Sequence, residues 1–239
     1  MASEDSLPKE LPENQGLSNP EFRILLQTST KFKSRSHDTH HSTYLPELTS
    51  SPSGSISTVL IGDSMFERLK TTGNDTRLAK LPSSFNAGVG GDKIENVLYR
   101  LDLGLLDLLE GKKVKLWVVM VGTNNLKKAL KSAEVERYQL LLQALLRLAP
   151  GSRIIVCEIF RRKDIDDQFV ESSNEMLRGL VGEMNGKLGE ERILWVEAPV
   201  GITKDRLVDH VHLDEEGYRT WDEALCPRIE ELLGVLDTT

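Results

Sequence analysis

The stretch TVLIGDSMFERL, Thr58 to Leu69, sets an apolar run against Gly62-Asp63-Ser64 and then turns helical. An uninterrupted apolar run of this length reads as a strand covered on both faces, and the polar triplet marks its end. A serine there has two uses: it caps the following helix, or it stands at the rim of a sheet with its hydroxyl presented. For an isolated serine, capping is the commoner use, so the rest of the chain has to decide.

Outward from this stretch, apolar runs recur at STVLIG (57–62), SFNAG (84–88), KVKLWVVMVG (113–122), SRIIVCEIF (152–160) and ERILWVEA (191–198). The last three are nearly continuous, as expected of strands inside a parallel sheet. Between them the pattern predicts helices over about 64–72, 92–103, 133–148, 166–188 and 214–235. In the third of these, Val135, Tyr138, Leu141, Leu142, Leu145 and Leu146 fall at helical spacing, and Ala149-Pro150-Gly151 stops the run. Strand–helix alternation with right-handed crossovers predicts the α/β class, as a three-layer α/β/α sandwich on a five-stranded parallel sheet.

The 239 residues are 39% hydrophobic, enough for one substantial core, and carry a formal net charge of −7. That charge argues against nucleic acid as a main partner. The amino terminus lacks a basic start followed by an apolar run, and no stretch reaches the length of a membrane span. Cys157 and Cys226 have no disulfide or zinc spacing and read as reduced packing residues. A cytoplasmic location follows as an expectation. Residues 1–55, rich in Ser, Thr, Pro, Glu and His, are expected to form a disordered low-complexity tail, with 56–239 as the folded domain. Within the tail, EFRILLQ (Glu21–Gln27) is an apolar cluster able to dock transiently, and His37, His40 and His41 read as polar tail residues.

In open parallel sheets, ligands bind at the carboxyl ends of strands. Those ends carry Gly62-Asp63-Ser64, GVGGD (88–92), GTNN (122–125) and, after the fifth strand, VDHVH (208–212). A hydroxyl, a glycine loop, an amide and an Asp/His pair are the parts acyl transfer requires: a nucleophile, a base, a carboxylate that fixes the base's tautomer, and donors for the tetrahedral oxyanion. Ser64 supplies the hydroxyl and its own N–H. Gly91 allows close approach of a backbone N–H, and Asn124 offers a neutral amide donor.

GVGGD also suggests a dinucleotide loop, but Lys93 stands where the third glycine of that fingerprint belongs. Asp209, His210 and His212 could be mistaken for metal ligands, but a catalytic zinc site wants three protein ligands with satisfied second shells, and no further His lies in the domain expected to fold. No cofactor and no metal are expected. Arg161 and Arg162, after the fourth strand, are solvated loop charges or attractors of an anionic head group.

GDSM (62–65), NAGVGGD (86–92), VGTNN (121–125) and DHVHLDEEGY (209–218) resemble the successive blocks of the SGNH, or GDSL-type, hydrolase family, over about residues 57–235. Within it, GDSM, GVGGD, VLYRL (97–101) and VGTNN are most similar to the catalytic subunits of intracellular platelet-activating-factor acetylhydrolase. The resemblance implies a flavodoxin-like sheet of order 2-1-3-4-5. It implies Ser64 as nucleophile, Asp209 and His212 as its Asp-x-x-His partners, and Ser64, Gly91 and Asn124 around the oxyanion. It also implies a carboxylic ester hydrolase acting on a small-molecule or lipid ester, with a homodimer as a compatible assembly; short acyl groups are favoured because the links after the strands leave no long lid to enclose a fatty tail. A lysophospholipase, thioesterase, carbohydrate deacetylase or non-catalytic binding module would use the same scaffold. Two departures touch the pocket walls: the segment before Asp209 is short, and FRRKD (160–164) replaces a family proline.

Overall fold

The computed structural model describes residues 20–234. The strands are β1 (Thr58–Gly62), β2 (Ser84–Gly88), β3 (Leu116–Met120), β4 (Arg153–Cys157) and β5 (Ile193–Val196). Every neighbouring pair is parallel, and the sheet order is β2-β1-β3-β4-β5. Gly62 pairs with Gly88 on one side and Met120 on the other, so the ends of three strands finish level and their following loops share one rim.

The helices are α1 (Pro20–Thr28), α2 (Ser34–Thr39), α3 (Leu45–Ser50), α4 (Ser64–Glu67), α5 (Ile94–Arg100), α6 (Leu106–Leu109), α7 (Ser132–Leu148), α8 (Asp167–Leu188) and α9 (Glu215–Leu233). Alternation along the strands divides the core in two. Val59, Ile61, Phe85, Trp117, Val119, Ile154 and Val156 face a layer built from α1, α3, α5, α7 and α8. Leu60, Leu116, Val118, Met120, Ile155 and Cys157 face Phe66 of α4 and Trp221, Leu225 and Ile229 of α9. This is the three-layer α/β/α sandwich expected from the alternation. β5 is the edge strand that the order 2-1-3-4-5 implies, but its apolar run is not covered throughout: Leu194, Trp195 and Val196 are half-buried, with Arg178 of α8 lying 5.7 Å from the Trp195 ring centre.

The amino-terminal segment corrects the sequence reading. Residues 1–19 lie outside the described residues, but most of 20–50 is helical, not a disordered tail. Phe22, Leu26, Tyr44 and Leu48 are fully buried in the core, with Arg147 of α7 over the Phe22 ring and Tyr44 edge-on to Phe85 of β2. EFRILLQ is thus a docked helix. The physical reason is visible in the spacing: Ser36, His40, Tyr44 and Leu48, four residues apart, are all buried. They form one helical stripe, but its first half is polar, so a search for apolar period misses it. The π turn at His40–Tyr44 widens the helix there and slows the drift of that stripe around the axis. Leu26→Ala should therefore destabilise the protein by about 2–5 kcal/mol, the cost of a large-to-small change in a packed core. A loose tail would give almost no change in urea unfolding.

Candidate active site

The Gly62–Phe66 turn at the end of β1 is held from three sides. Asp63 caps α4, its Oδ1 accepting the Met65 N–H at 3.0 Å. From α9, Tyr218 donates its hydroxyl to the Met65 carbonyl at 2.9 Å, and Trp221 stacks on Phe66 with ring centres 5.4 Å apart. From β2, the Asn86 amide donates to the Phe66 carbonyl at 2.7 Å. Gly62 is required because a Cβ there would run into the Met120 carbonyl of β3. Phe66 is wholly buried and anchors the turn.

Capping is thus done by Asp63, and Ser64, one residue on, is left for another partner. Its Oγ lies 2.9 Å from Nε2 of His212, whose Nδ1 lies 2.6 Å from Oδ2 of Asp209. An ionised carboxylate only accepts, so the Nδ1 proton points at Asp209 and Nε2 is the acceptor facing the serine hydroxyl. The three-residue spacing works through a tight turn rather than a helix. Asp209 Oδ1 accepts the N–H groups of Val211 and His212, and Leu207 bridges to Leu213. Partial burial opposes the Asp209 charge. The His212 imidazole and the two backbone N–H groups outweigh it and hold the carboxyl well below the usual range. Arg68 stands 3.7 Å from the same carboxylate.

His210 is exposed, and its carbonyl accepts the Lys163 N–H at 2.9 Å. Its contribution is to pin the turn through its backbone. Burial pushes the Asp63 carboxyl up to about 7, against the hydrogen bond from Met65.

Asn124 lies in the turn after β3, its Nδ2 donating to the Asp92 carbonyl at 2.9 Å. A primary amide carries two N–H groups, so a second donor remains. Gly91 adopts φ +75°, a conformation that favours glycine. The loop holding it is built around Asp92, a role not legible in the sequence. Asp92 and Arg100 are both fully buried and pair at 2.8 Å, and the Arg100 guanidinium also donates to the carbonyls of Ala87 and Gly62. Asn125, also missed, accepts the Ile94 N–H at its Oδ1 and ties the β3 turn to the start of α5. The signal for Asp92 and Arg100 was present, since both lie within the blocks GVGGD and VLYRL, but nothing in the spacing showed that they meet.

The two arginines after β4 do not offer the free charge a head group would need. Arg162 is buried, forks onto Asp164 at 2.8 and 2.7 Å, and donates to the Thr123 carbonyl, bracing the Asn124 turn. Arg161 pairs with Glu171 at 2.7 Å. Cys157 and Cys226 are free and buried, and burial pushes the Cys226 thiol up to about 12. Among the described residues no cluster of three or more His, Cys, Asp or Glu could hold a metal ion, and no helix is long and apolar enough to cross a membrane.

A family model described as the GDSL-like lipase/acylhydrolase family matches residues 60–220. Platelet-activating factor acetylhydrolase IB subunit alpha1 of Rattus norvegicus is 27% identical over 179 residues, 73% of this chain and 75% of that protein. Among solved structures, a GDSL-like lipase from Bacteroides thetaiotaomicron superposes with a TM-score of 0.59 at 18% identity, covering 81% of this chain and 98% of its own. A carbohydrate esterase family 3 protein from Talaromyces cellulolyticus gives 0.56 at 18% identity, over 77% and 100%.

Proposed function

The chain belongs to the GDSL-like lipase/acylhydrolase family and is a carboxylic ester hydrolase, and we propose that it works as a serine esterase whose triad is Ser64, His212 and Asp209. The observation that carries this reading is the continuous relay from the Ser64 Oγ through both imidazole nitrogens to the Asp209 carboxylate. Ser64 attacks the ester carbonyl as His212 takes its proton. His212 then returns that proton to the departing alcohol, leaving an acyl-enzyme. Water, activated by the same imidazole, releases the acid. Asp209 holds the tautomer and balances the imidazolium.

The oxyanion of each tetrahedral intermediate is met by the Ser64 and Gly91 N–H groups and the free Asn124 amide proton. Asn124→Ala should lower kcat by about 10²–10³-fold with little change in KM, the usual loss for one such donor. Steady-state kinetics on an activated ester decide it; a loss of only a few-fold would make Asn124 a structural residue.

Short acyl groups are the preferred substrates in this reading. The acetylhydrolase relative is consistent with it. A cytoplasmic location belongs to the same reading and is supported by the two free, buried cysteines. The test is labelling by a fluorophosphonate probe that disappears in Ser64→Ala, followed by an ester panel varying acyl length and alcohol. Absence of labelling in the wild-type protein would favour a non-catalytic binding module, and turnover confined to acetylated sugars would make it a carbohydrate deacetylase.

A further inference from the structure

The loop carrying Gly91 is gripped by the amino-terminal segment. Lys33, between α1 and α2, donates from Nζ to the Gly90 carbonyl at 2.6 Å and to Asp92 Oδ1 at 2.9 Å. Ser36 donates its hydroxyl to the same Asp92 oxygen at 2.5 Å, and Tyr44 donates to the Gly88 carbonyl at 2.8 Å. Lys31 donates its N–H to the Glu95 carbonyl, and the Asn96 amide answers to the Lys31 carbonyl. Asp92 is already paired with the buried Arg100. A second cation is therefore not needed for neutralisation, and the shorter of the two Lys33 bonds goes to a neutral carbonyl.

That carbonyl is half of a rigid unit. The Gly90 C=O and the Gly91 N–H belong to one planar trans peptide and point in opposite directions, so fixing the oxygen fixes the direction of the hydrogen. Glycine flanks this peptide on both sides, and glycine tolerates either sign of φ, so a flip of the plane meets little steric resistance. Flipped, the unit would present an oxygen where the oxyanion needs a donor. An ammonium on the carbonyl opposes the flip and also polarises the N–H.

We propose that Lys33 is a positioning residue for the oxyanion hole, clamping the Gly90–Gly91 peptide so that the Gly91 N–H faces the reacting carbonyl. The proposal rests on the reading of Gly91 as an oxyanion donor. It gives the amino-terminal segment a function in the reaction beyond its packing, because the lysine reaches the loop only while α1 and α2 are docked.

The test uses the full chain in wild-type, Lys33→Met, Lys33→Gln and Lys33→Arg forms. Three quantities are measured: kcat and KM on a short-chain activated ester, the melting temperature, and the amide 1H–15N signal of Gly91. Lys33→Met should lose about 10–100-fold in kcat, with KM within about twofold, and should move the Gly91 signal while the melting temperature stays near wild type. Lys33→Arg, which keeps a charged donor, should recover most of the kcat and the signal. Should Lys33→Met fail to fold, Lys33→Gln carries the same test. An unmoved Gly91 signal, or a fall in kcat matched by a fall in melting temperature and not rescued by arginine, overturns the proposal. Wild-type protein without ester turnover or Ser64-dependent labelling would sink the esterase reading instead, and the Gly91 signal, which needs no turnover, would still decide whether the clamp exists.

Discussion

His212→Ala is expected to abolish ester turnover as completely as Ser64→Ala, a loss of roughly 10⁴–10⁶-fold in kcat, and the double variant is expected to be scarcely worse. The reason is geometric. With Nε2 2.9 Å from the Ser64 Oγ, the imidazole is the only base within hydrogen-bond reach of that hydroxyl among the described residues. Removing either end of the proton transfer removes the step. Asp209→Ala should cost somewhat less, since the base survives without its orienting carboxylate. His210→Ala should keep most of the activity, because the exposed His210 touches the turn through its carbonyl, which the substitution retains. Circular dichroism and melting should first establish that each variant is folded, and kcat is then compared on one activated short-chain ester between about pH 6 and 9, a window around the range in which histidines titrate. A dead His210→Ala, or more than a few per cent of activity left in His212→Ala, would show that the relay has been misassigned.

Arg100→Met is expected to be the most destabilising single change at the rim, by about 3–5 kcal/mol, the cost of breaking a buried ion pair from one side. The arginine is fully buried. Its loss would leave the Asp92 carboxylate with only Lys33 and Ser36, and strip hydrogen bonds from the carbonyls of Ala87 and Gly62. For a domain of this size, that corresponds to a drop in melting temperature of roughly 6–20 °C. Replacing both partners, as Asp92→Leu with Arg100→Met, should recover part of the loss, since no uncompensated charge is then buried. Urea unfolding of the two single variants and the double one measures this directly. Additive losses in the two singles would mean that the residues do not act as a pair. Because Arg100 also holds the carbonyl of Gly62, two residues before Ser64, the same variant should lose activity before it unfolds.

What was legible in the sequence was whatever repeats or stays local. The five apolar runs fall within a few residues of β1 to β5, and the helical spacing in α7 matches Ser132–Leu148. The turn residues at the strand ends, Gly62-Asp63-Ser64 and Gly122-Thr123-Asn124, were visible because strand termini are announced by a break in apolar pattern. Asp209 and His212 could be paired from sequence because three residues of chain bring them together without help from the fold.

The sequence by itself determined the layers, the strand ends and the residue types at the rim, because these depend on periodicity and on short-range geometry. Only the tertiary structure decided that Ser64 and His212, 148 residues apart, stand within hydrogen-bond distance. It alone showed that Asp63 takes the capping role and that Arg162 braces a turn. It also turned a polar amino-terminal segment into part of the core. Ser36 and Lys33 carry no apolar signal; they are ordered by partners contributed by the Asp92 loop, far along the chain. A buried polar group is stabilised only by the particular partner that faces it, and that partner exists only once the chain has folded.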